Sequence, residues 1–363
     1  MEYEQSSKRL QQEVMAPGWC TSCGMCVGIC PYIKNYKETS AFIHQCQVDE
    51  GKCYAVCPRG KTNWSQIDHA VFGKDREDHA LGNFQSILFA RATDKVFAAK
   101  GQYAGVTSAV LGYAINKGQI DGAVVTGGAP GKLPEPVLAQ TRDDLLGAAG
   151  SKYSAAPTLS RLNQAAKEGY NHLAVVGRPC QVLAARKMQS FTDDRGDLPV
   201  GKIALTIGLF CFWALDADFY QFLAEKTNNE QIRSLDIPVD GMVVVTDKGQ
   251  YKWPVEEVRS FIRPACEQCF DPTSEFADLS IGSTEFDNMW NTLVVRTDRG
   301  KELVDSAVGE SILEVKEYPQ NHIPLLRQAV LNKKQRVLKE RNSIPNYLVL
   351  NEAYRKGVLE GGN

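Results

Sequence analysis

Seven of the eleven cysteines lie between positions 20 and 57, and their spacing is typical of iron ligands. Gaps of two, two and three residues separate the first four, and a proline follows the fourth. Such a run binds an iron–sulfur cubane, because short gaps let the backbone wrap around one cluster while the fourth thiolate reaches a second cluster. The seven are Cys20, Cys23, Cys26, Cys30, Cys46, Cys53 and Cys57.

This run resembles that of bacterial ferredoxins and predicts two 4Fe–4S clusters. We assign Cys20, Cys23, Cys26 and Cys57 to one cluster, and Cys30, Cys46 and Cys53 to the other. The second set is one thiolate short. Asp49 is the first candidate for the missing ligand and Glu50 the second; a 3Fe–4S centre and an external ligand are the alternatives. Zinc sites usually show two Cys/His pairs separated by a longer loop, so the dense run favours iron–sulfur.

The other four cysteines are scattered along the chain. Cys180 and Cys211 each follow a short apolar segment, and Cys266 and Cys269 form a C-x2-C pair. Four thiolates converging at one end of a sheet would form a third 4Fe–4S site. Plain buried cysteines, a zinc site and a redox-active dithiol are equally open readings of the spacing alone.

The elements that position these cysteines change character near residue 84. From there, short apolar segments alternate with helical patterns, which predicts an α/β domain with a mostly parallel sheet after a small ferredoxin-like α+β module. Ligands of such sheets collect beyond the carboxyl ends of the strands, where Cys180 and Cys211 fall. We predict strands at 84–92, 123–126, 173–176 and 203–210, a hairpin within 237–258, and helices at 1–19, 104–116, 159–167, 181–188, 216–225 and 325–341.

Domain limits follow from the same changes in pattern. We expect a ferredoxin-like module at 1–58, a linker at 59–83, an α/β domain at 84–342 and a tail at 343–363. The chain has 363 residues, 43% of them apolar, and a net charge of −2. These values indicate a globular protein and give no reason to propose nucleic acid as a partner. Because no apolar run could span a bilayer and no secretory signal is evident, we expect a cytoplasmic protein, membrane-associated only through a partner.

Seven motifs in a fixed order resemble the family of coenzyme F420 hydrogenase/dehydrogenase beta subunits across residues 84–340. The N-terminal module resembles that of longer, fused members of the family. The motifs are Gly105-Val-Thr107-Ser, Ile120-Asp-Gly-Ala-Val-Val125, Ala149-Gly-Ser-Lys-Tyr153-Ser, Val176-Gly-Arg-Pro-Cys180-Gln, Gly208-Leu-Phe-Cys211, Cys266-x2-Cys269-x-Asp271 with the following segment to Ser283, and Trp290-Asn-Thr-Leu-Val-Val-Arg296-Thr297.

The resemblance implies FAD and one 4Fe–4S cluster in the α/β domain, with Cys180, Cys211, Cys266 and Cys269 as cluster ligands. It also implies two flavin-binding loops, at 102–107 and 150–153. The N-terminal amides of a helix that starts after Gly105 could bind a phosphate, and the positive charge of Lys152 could balance the negative charge of a pyrophosphate or of a reduced flavin anion. The predicted flavin-binding residues are Gln102, Gly105, Val106, Thr107, Gly150, Ser151, Lys152 and Tyr153.

The function implied is an electron-transfer oxidoreductase subunit. It would convert two-electron chemistry at FAD into one-electron transfer through the clusters to a partner, with coenzyme F420 or NAD(P)H as the two-electron carrier. The partner would be a hydrogenase, dehydrogenase or heterodisulfide-reductase-like subunit, or ferredoxin. A stand-alone ferredoxin-dependent reductase and a non-catalytic scaffold without flavin are the alternatives. No side chain stands out as an acid–base catalyst.

Two departures from the family pattern bear on the carrier. Most relatives have Gln-Asp-Gly-Gly where this chain has Gln102-Tyr-Ala-Gly105. Most have Gly-x-Pro-Asp-Gly-Trp where this chain has Thr284-Glu-Phe-Asp-Asn-Met-Trp290. Loss of an acidic residue and two glycines alters what can approach the flavin ring.

Overall fold

The strands of the protein form one large sheet and three small ones. A computed structural model describes residues 6–48, 51–101, 103–191, 198–238, 240–284, 286–339 and 345–361. The strands, in chain order, are β1 Ile33–Tyr36, β2 Thr39–Phe42, β3 Thr62–Asn63, β4 Ser86–Ala92, β5 Gly122–Gly127, β6 Glu135–Ala139, β7 Leu173–Gly177, β8 Ile203–Leu209, β9 Ile232–Asp236, β10 Met242–Thr246, β11 Gln250–Trp253, β12 Leu279–Ser283, β13 Asn291–Val295, β14 Leu313–Glu317 and β15 Leu348–Val349.

Helices alternate with these strands, as the sequence pattern predicts. They are α1 Ser6–Arg9, α2 Trp64–Phe72, α3 Lys95–Lys100, α4 Val106–Asn116, α5 Arg142–Ala148, α6 Thr158–Lys167, α7 Pro179–Gln189, α8 Asp218–Lys226, α9 Val255–Arg259, α10 Pro264–Glu267, α11 Asp298–Gly309, α12 Ile323–Lys339 and α13 Glu352–Glu360. Helix α1 continues as a π-helix over Leu10–Met15, and 3₁₀ turns occupy Val200–Lys202 and Gln320–His322. Among the described ranges, no helix has both the length and the apolar run that crossing a bilayer requires.

The large sheet has eight strands in the order β14-β4-β13-β12-β8-β7-β5-β6. The four inner strands β12, β8, β7 and β5 pair in parallel, and the pairs outside them are antiparallel. The predicted α/β class is confirmed. The antiparallel borders have a local cause, because β5–β6 and β12–β13 are joined by short loops, whereas a parallel pair needs a long crossover.

Both faces of this sheet are covered by helices. In β7, Ala174 and Val176 pack with α4 and α11, whereas Leu173 and Val175 pack on the opposite face with α6 and α7. All four side chains are buried, as expected of a strand that lies inside a parallel sheet. The predicted hairpin turns at residues 247–249, between β10 and β11, and β9 adds a third strand to it.

The cysteine-rich N-terminal module is packed into the α/β domain. Its Met25 and Val56 belong to the same apolar cluster as Leu159. The Leu159 amide donates to Cys23 O over 3.0 Å, and Asn163 Nδ2 donates to Met25 O over 2.8 Å. The module therefore has a defined position against α6.

Residues 59–83, predicted as a linker, include helix α2, one side of which is buried. Its Trp64 contacts Phe270 and Phe276, and β3 just before it pairs with β15 near the C-terminus. This segment therefore contacts both the α/β domain and the C-terminal part of the chain. The domain limits at 58, 84 and 343 stay a prediction.

Candidate functional site

Four cysteines from distant parts of the chain line one cavity beyond the carboxyl ends of β7 and β8. They are Cys180, Cys211, Cys266 and Cys269. The convergence that the sequence left open is thus present in the fold. The remaining lining residues are Thr21, Arg59, Arg178, Pro179, Trp213, Arg263, Ala265 and Lys333.

Local structure sets the position of Cys180. It lies in the first turn of α7, where Pro179 suits the first helical position because its missing N–H would have no partner there. Gln181 anchors this turn: its Oε1 accepts from the Arg178 amide over 2.8 Å, and its Nε2 donates to Ala156 O over 3.0 Å.

Of the other three core cysteines, Cys266 lies in the short helix α10 and Cys211 and Cys269 lie on loops, and hydrogen bonds tie these segments together. The Cys211 amide, two residues after β8, donates to Pro272 O over 2.8 Å. The Ala214 amide donates to the Cys266 sulfur over 3.2 Å. The Cys269 amide donates to Cys266 O over 3.1 Å. These loops hold the thiols around a common centre.

Charge around the cavity is strongly positive. Lys333 Nζ donates to Cys211 O over 2.8 Å, Arg59 Nη2 to Ala265 O over 2.9 Å, and Arg263 Nη2 to Cys20 O over 2.7 Å. Burial raises the pKa of Cys211 to about 12. At Cys269 burial also opposes ionisation, but Lys333 and Arg59 lower the pKa of this thiol below its ordinary value.

Three buried guanidinium N–H groups at this cavity have no hydrogen-bond partner among the described residues: Arg59 Nε, Arg178 Nη2 and Arg263 Nε. Unpaired buried donors carry a free-energy cost, which an anionic group in the cavity would offset. A 4Fe–4S cluster held by four thiolates is such a group, so the donor set and the surrounding charge fit the predicted core cluster.

The N-terminal cysteines lie close together; their spacing predicts a first group (Cys20, Cys23, Cys26 and Cys57) and a second group (Cys30, Cys46 and Cys53). Besides burial, the Cys57 thiolate is the largest influence that raises the pKa of Cys23, and Cys23, Cys20, Cys57 and Cys53 raise that of Cys26. Cys30 and Cys46 act in the same way on Cys53. These mutual effects reflect proximity. The assignment of ligands to clusters stays a prediction.

Backbone geometry in the first group suits anionic sulfur. The Ser22 amide donates to the Cys20 sulfur, and the Arg59 amide to the Cys57 sulfur, each over 3.4 Å. Ser22 and Gly24 have φ values of 52° and 85°, so the backbone around these thiols alternates between left-handed and right-handed conformations. Successive amides in such a conformation form a concave anion site that is common around iron–sulfur clusters.

The first N-terminal group lies beside the core cavity. Cys180 is among the thiols that raise the pKa of Cys23, Thr21 lines the cavity, and Arg263 donates to Cys20 O. The second group lies further out, with Cys46 partly exposed. The candidate ligands Asp49 and Glu50 lie outside the described residues.

The two predicted flavin loops lie next to each other. Gln102 is outside the described residues, but a Cβ on Gly150 would lie 3.7 Å from Lys100 O, just before the first loop. Gly105, with a φ of 70°, precedes α4, and the Val106 amide donates to Asn291 Oδ1 over 3.4 Å. Thr107 lies in the first turn of α4.

The second loop connects this region to the cysteine cavity. Tyr153 O accepts from the Leu215 amide over 2.9 Å, four residues after Cys211, and Tyr153 Oη donates to Asp236 Oδ1 over 2.6 Å. Lys152 Nζ donates to Ala149 O and Gly150 O over 3.0 and 3.1 Å, so it caps the end of α5. Burial lowers the pKa of Lys152 to about 8. Ser151 is exposed.

Among the described residues, no group of three or more His, Cys, Asp or Glu side chains is placed to hold a single metal ion. A cubane with one iron per ligand keeps its cysteines further apart than the ligands of one ion.

The basic residues of the cavity were missed by reasoning from the sequence. A signal was present, because Arg178 and Arg263 each precede a proline close to a core cysteine, and Arg59 follows Cys57-Pro58. Lys333 offered no such signal, because it lies on a helix with basic residues along its length.

The fold and the cavity define an α/β protein with a cysteine-lined, cationic centre. Residues 87–163 match the N-terminal domain of the coenzyme F420 hydrogenase/dehydrogenase beta subunit, and residues 170–321 match its C-terminal domain. The chain belongs to this family.

Particular relatives agree with this membership. The coenzyme F420 hydrogenase subunit beta of Methanosarcina barkeri is 33% identical over 278 residues, which cover 74% of this chain and 95% of that protein. A subunit of the F420H2 dehydrogenase of Methanosarcina mazei is 30% identical over 332 residues, covering 89% of this chain and 91% of that protein. A chain of the F420-reducing NiFe hydrogenase complex from Methanosarcina barkeri aligns with a TM-score of 0.66 and 33% identity, covering 73% of this chain and 94% of that chain.

Proposed function

We propose that this chain is an electron-transfer subunit of an F420-linked oxidoreductase, with FAD and three iron–sulfur clusters as its cofactors. The observation that carries the proposal is the meeting of Cys180, Cys211, Cys266 and Cys269 in one cationic cavity beside Cys20 and Cys23. Family membership supports the oxidoreductase role, and the F420-linked relatives support the carrier.

Each part of the chain has a separate task in this proposal. FAD exchanges electrons in pairs, whereas iron–sulfur clusters exchange them singly, so bound together they convert one kind of transfer into the other. The loops at 102–107 and 150–153 would hold the flavin, and the four core cysteines would hold the inner cluster. The bridge between Ser154 and Leu215 keeps the flavin loop and the Cys211 loop together.

The N-terminal module would carry electrons towards a partner. Its first cysteine group is fixed to the α/β domain by Arg263 and by Lys187, whose buried Nζ donates to Cys57 O over 2.7 Å and to Thr62 Oγ1 over 2.7 Å. Its second group lies nearer the surface. A redox subunit of a larger complex, such as the hydrogenase assembly of the structural relative, is the partner we propose.

The test is anaerobic purification of the full chain followed by metal analysis, flavin analysis and reduction by candidate carriers. We expect about 11–12 irons per chain, a flavin spectrum, and bleaching of that spectrum by reduced F420. Bleaching by NADPH alone would change the proposed carrier from F420 to NADPH, but it would leave the proposed conversion between two-electron and one-electron transfer unchanged. A colourless protein, or zinc in place of iron, would refute the proposal.

A further inference from the structure

The cavity of the core cysteines contains four basic side chains and almost no opposing acid. They are Arg59, Arg178, Arg263 and Lys333. The acidic contact to these four that the structure shows is Glu38, 3.9 Å from Arg263 Nη1. The Asp271 carboxylate, two residues after Cys269, accepts from the Thr273 and Glu275 amides over 2.9 Å.

Carbonyl oxygens hold three of the four cations in place. Arg59 donates to Ala265 O, Arg263 to Cys20 O and Lys333 to Cys211 O. A carbonyl fixes a cation without neutralising its charge. Arg178, at the start of α7, and two of the others also keep a buried N–H group without a partner among the described residues. Positive charge is therefore built into the cavity and left uncompensated by protein.

Such charge favours the reduced state of a cluster. A 4Fe–4S cluster with four thiolates is anionic and becomes more so when it takes up an electron, so nearby cations and N–H donors raise its reduction potential. Burial acts the other way, because it disfavours added charge. In this cavity four cations oppose the effect of burial.

The structure shows fewer cations at the N-terminal cysteines. Lys187 Nζ donates to Cys57 O over 2.7 Å, and Arg263, which is shared with the core cavity, donates to Cys20 O. At Cys53 the side-chain contact is a hydroxyl, Ser6 Oγ, 3.5 Å from the sulfur. Among these contacts in the described part of the chain, positive charge decreases from the core cavity outward.

We propose that Arg178, together with Arg59, Arg263 and Lys333, holds the core cluster at a higher reduction potential than both N-terminal clusters. The core cluster is then the first of the three to be reduced, from whichever side electrons enter. The flavin would exchange single electrons with the most easily reduced centre. This inference rests on the proposed function, because it assumes a cluster at the core cysteines.

The experiment is a redox titration of the full, cluster-loaded chain, followed by electron paramagnetic resonance. We expect three cluster signals, with the core signal appearing at the highest potential. A Cys269→Ser variant identifies that signal as the one it changes. Arg178→Gln keeps a polar side chain but removes the charge, and it should shift the core midpoint potential downward more than either other midpoint. Arg178→Lys, which retains the positive charge, should keep the core midpoint potential close to that of the unaltered chain.

The matched control is Arg161→Gln, an arginine of α6 that pairs with Glu168 at the surface. It should leave all three potentials unchanged. Lys333→Gln is the second test and should also lower the midpoint potential of the core cluster. If the Arg178→Gln variant does not assemble its core cluster, Lys333→Gln tests the role of the cations instead. A core signal that appears at the lowest potential in the unaltered chain, or potentials unaffected by Arg178→Gln or Lys333→Gln, would overturn the proposal.

Failure of the proposed function gives a different result. If the core cysteines hold no cluster, the unaltered chain contains about eight irons and Cys269→Ser changes no signal. A loaded core cluster with the wrong order of potentials refutes only the role of the cations.

Discussion

Replacing Glu275 should destabilise the scaffold behind the core cavity. Glu275 is fully buried; one carboxylate oxygen lies 2.6 Å from Lys334 Nζ and the other pairs with Arg76. Arg76 also contacts Asp68 at 3.0 Å. These four charges sum to zero and tie α2, the loop after Cys269 and α12 together. Glu275→Gln keeps the side-chain size but leaves one excess buried positive charge.

The size of the effect follows from these contacts. At an effective dielectric constant of about 20, two unit charges about 4 Å apart attract by about 4 kcal/mol, so two lost contacts set an upper limit near 8 kcal/mol. The carboxylate also carries a desolvation penalty that the amide avoids. Removing one partner of a buried ion pair typically costs about 3–5 kcal/mol, and we expect a loss in that range.

Anaerobic urea unfolding, monitored by fluorescence, measures this loss. Trp64 is a suitable reporter because Arg76 lies 5.3 Å from its ring. Asp305→Asn, in an exposed pair with Lys301, is the control and should leave the free energy of unfolding unchanged. The double variant Glu275→Gln, Lys334→Met restores neutrality and should recover part of the loss. A single variant as stable as the control would refute the reasoning.

Two further predictions concern the N-terminal module and the flavin loop. A Cβ on Gly24, at a φ of 85°, would lie 2.3 Å from Pro157 O, whereas Gly18, at 76°, has no atom within 4 Å. Gly24→Ala should therefore lower the free energy of unfolding by more than the roughly 1–2 kcal/mol of left-handed strain expected for Gly18→Ala. It should also speed amide exchange at Leu159. Equal effects of the two substitutions would contradict this close packing. Lys152 is charged below its pKa of about 8, so its attraction for flavin phosphates is present at lower pH and lost as pH rises through that value. Flavin affinity, measured by fluorescence quenching, should fall above pH 8 in the unaltered chain and remain high in Lys152→Arg, whereas a parallel fall in both would exclude this role.

Much of the site could be predicted because its information is local. The spacing of Cys20, Cys23 and Cys26 is one that lets a short loop wrap around one cluster, so a cluster could be proposed there without the fold. Strands such as β7 and β8 were predicted from apolar runs, and their carboxyl ends located Cys180 and Cys211 correctly. The antiparallel pairs of β4 with β13 and β14 were not predicted, because they join strands that lie far apart in the sequence.

Helix α12 shows most clearly what the sequence left undecided. Its basic composition was compatible with a packed helix or a docking surface. In the fold, Lys333 is turned to the cysteine cavity and Lys334 to Glu275, and both are buried. The helix is amphipathic, and its apolar residues, such as Val330 and Val337, mark a buried side, but they do not indicate which basic residues are buried beside them.

By itself, the sequence determined the α/β class and the family, and it predicted iron–sulfur chemistry for the N-terminal module. Only the tertiary structure brought Arg59, Arg178, Arg263 and Lys333 to the same four cysteines. The physical reason is that ligand spacing and strand patterning are properties of neighbouring residues. The electrostatic environment of a buried centre is instead the sum of charges that folding collects from distant parts of the chain.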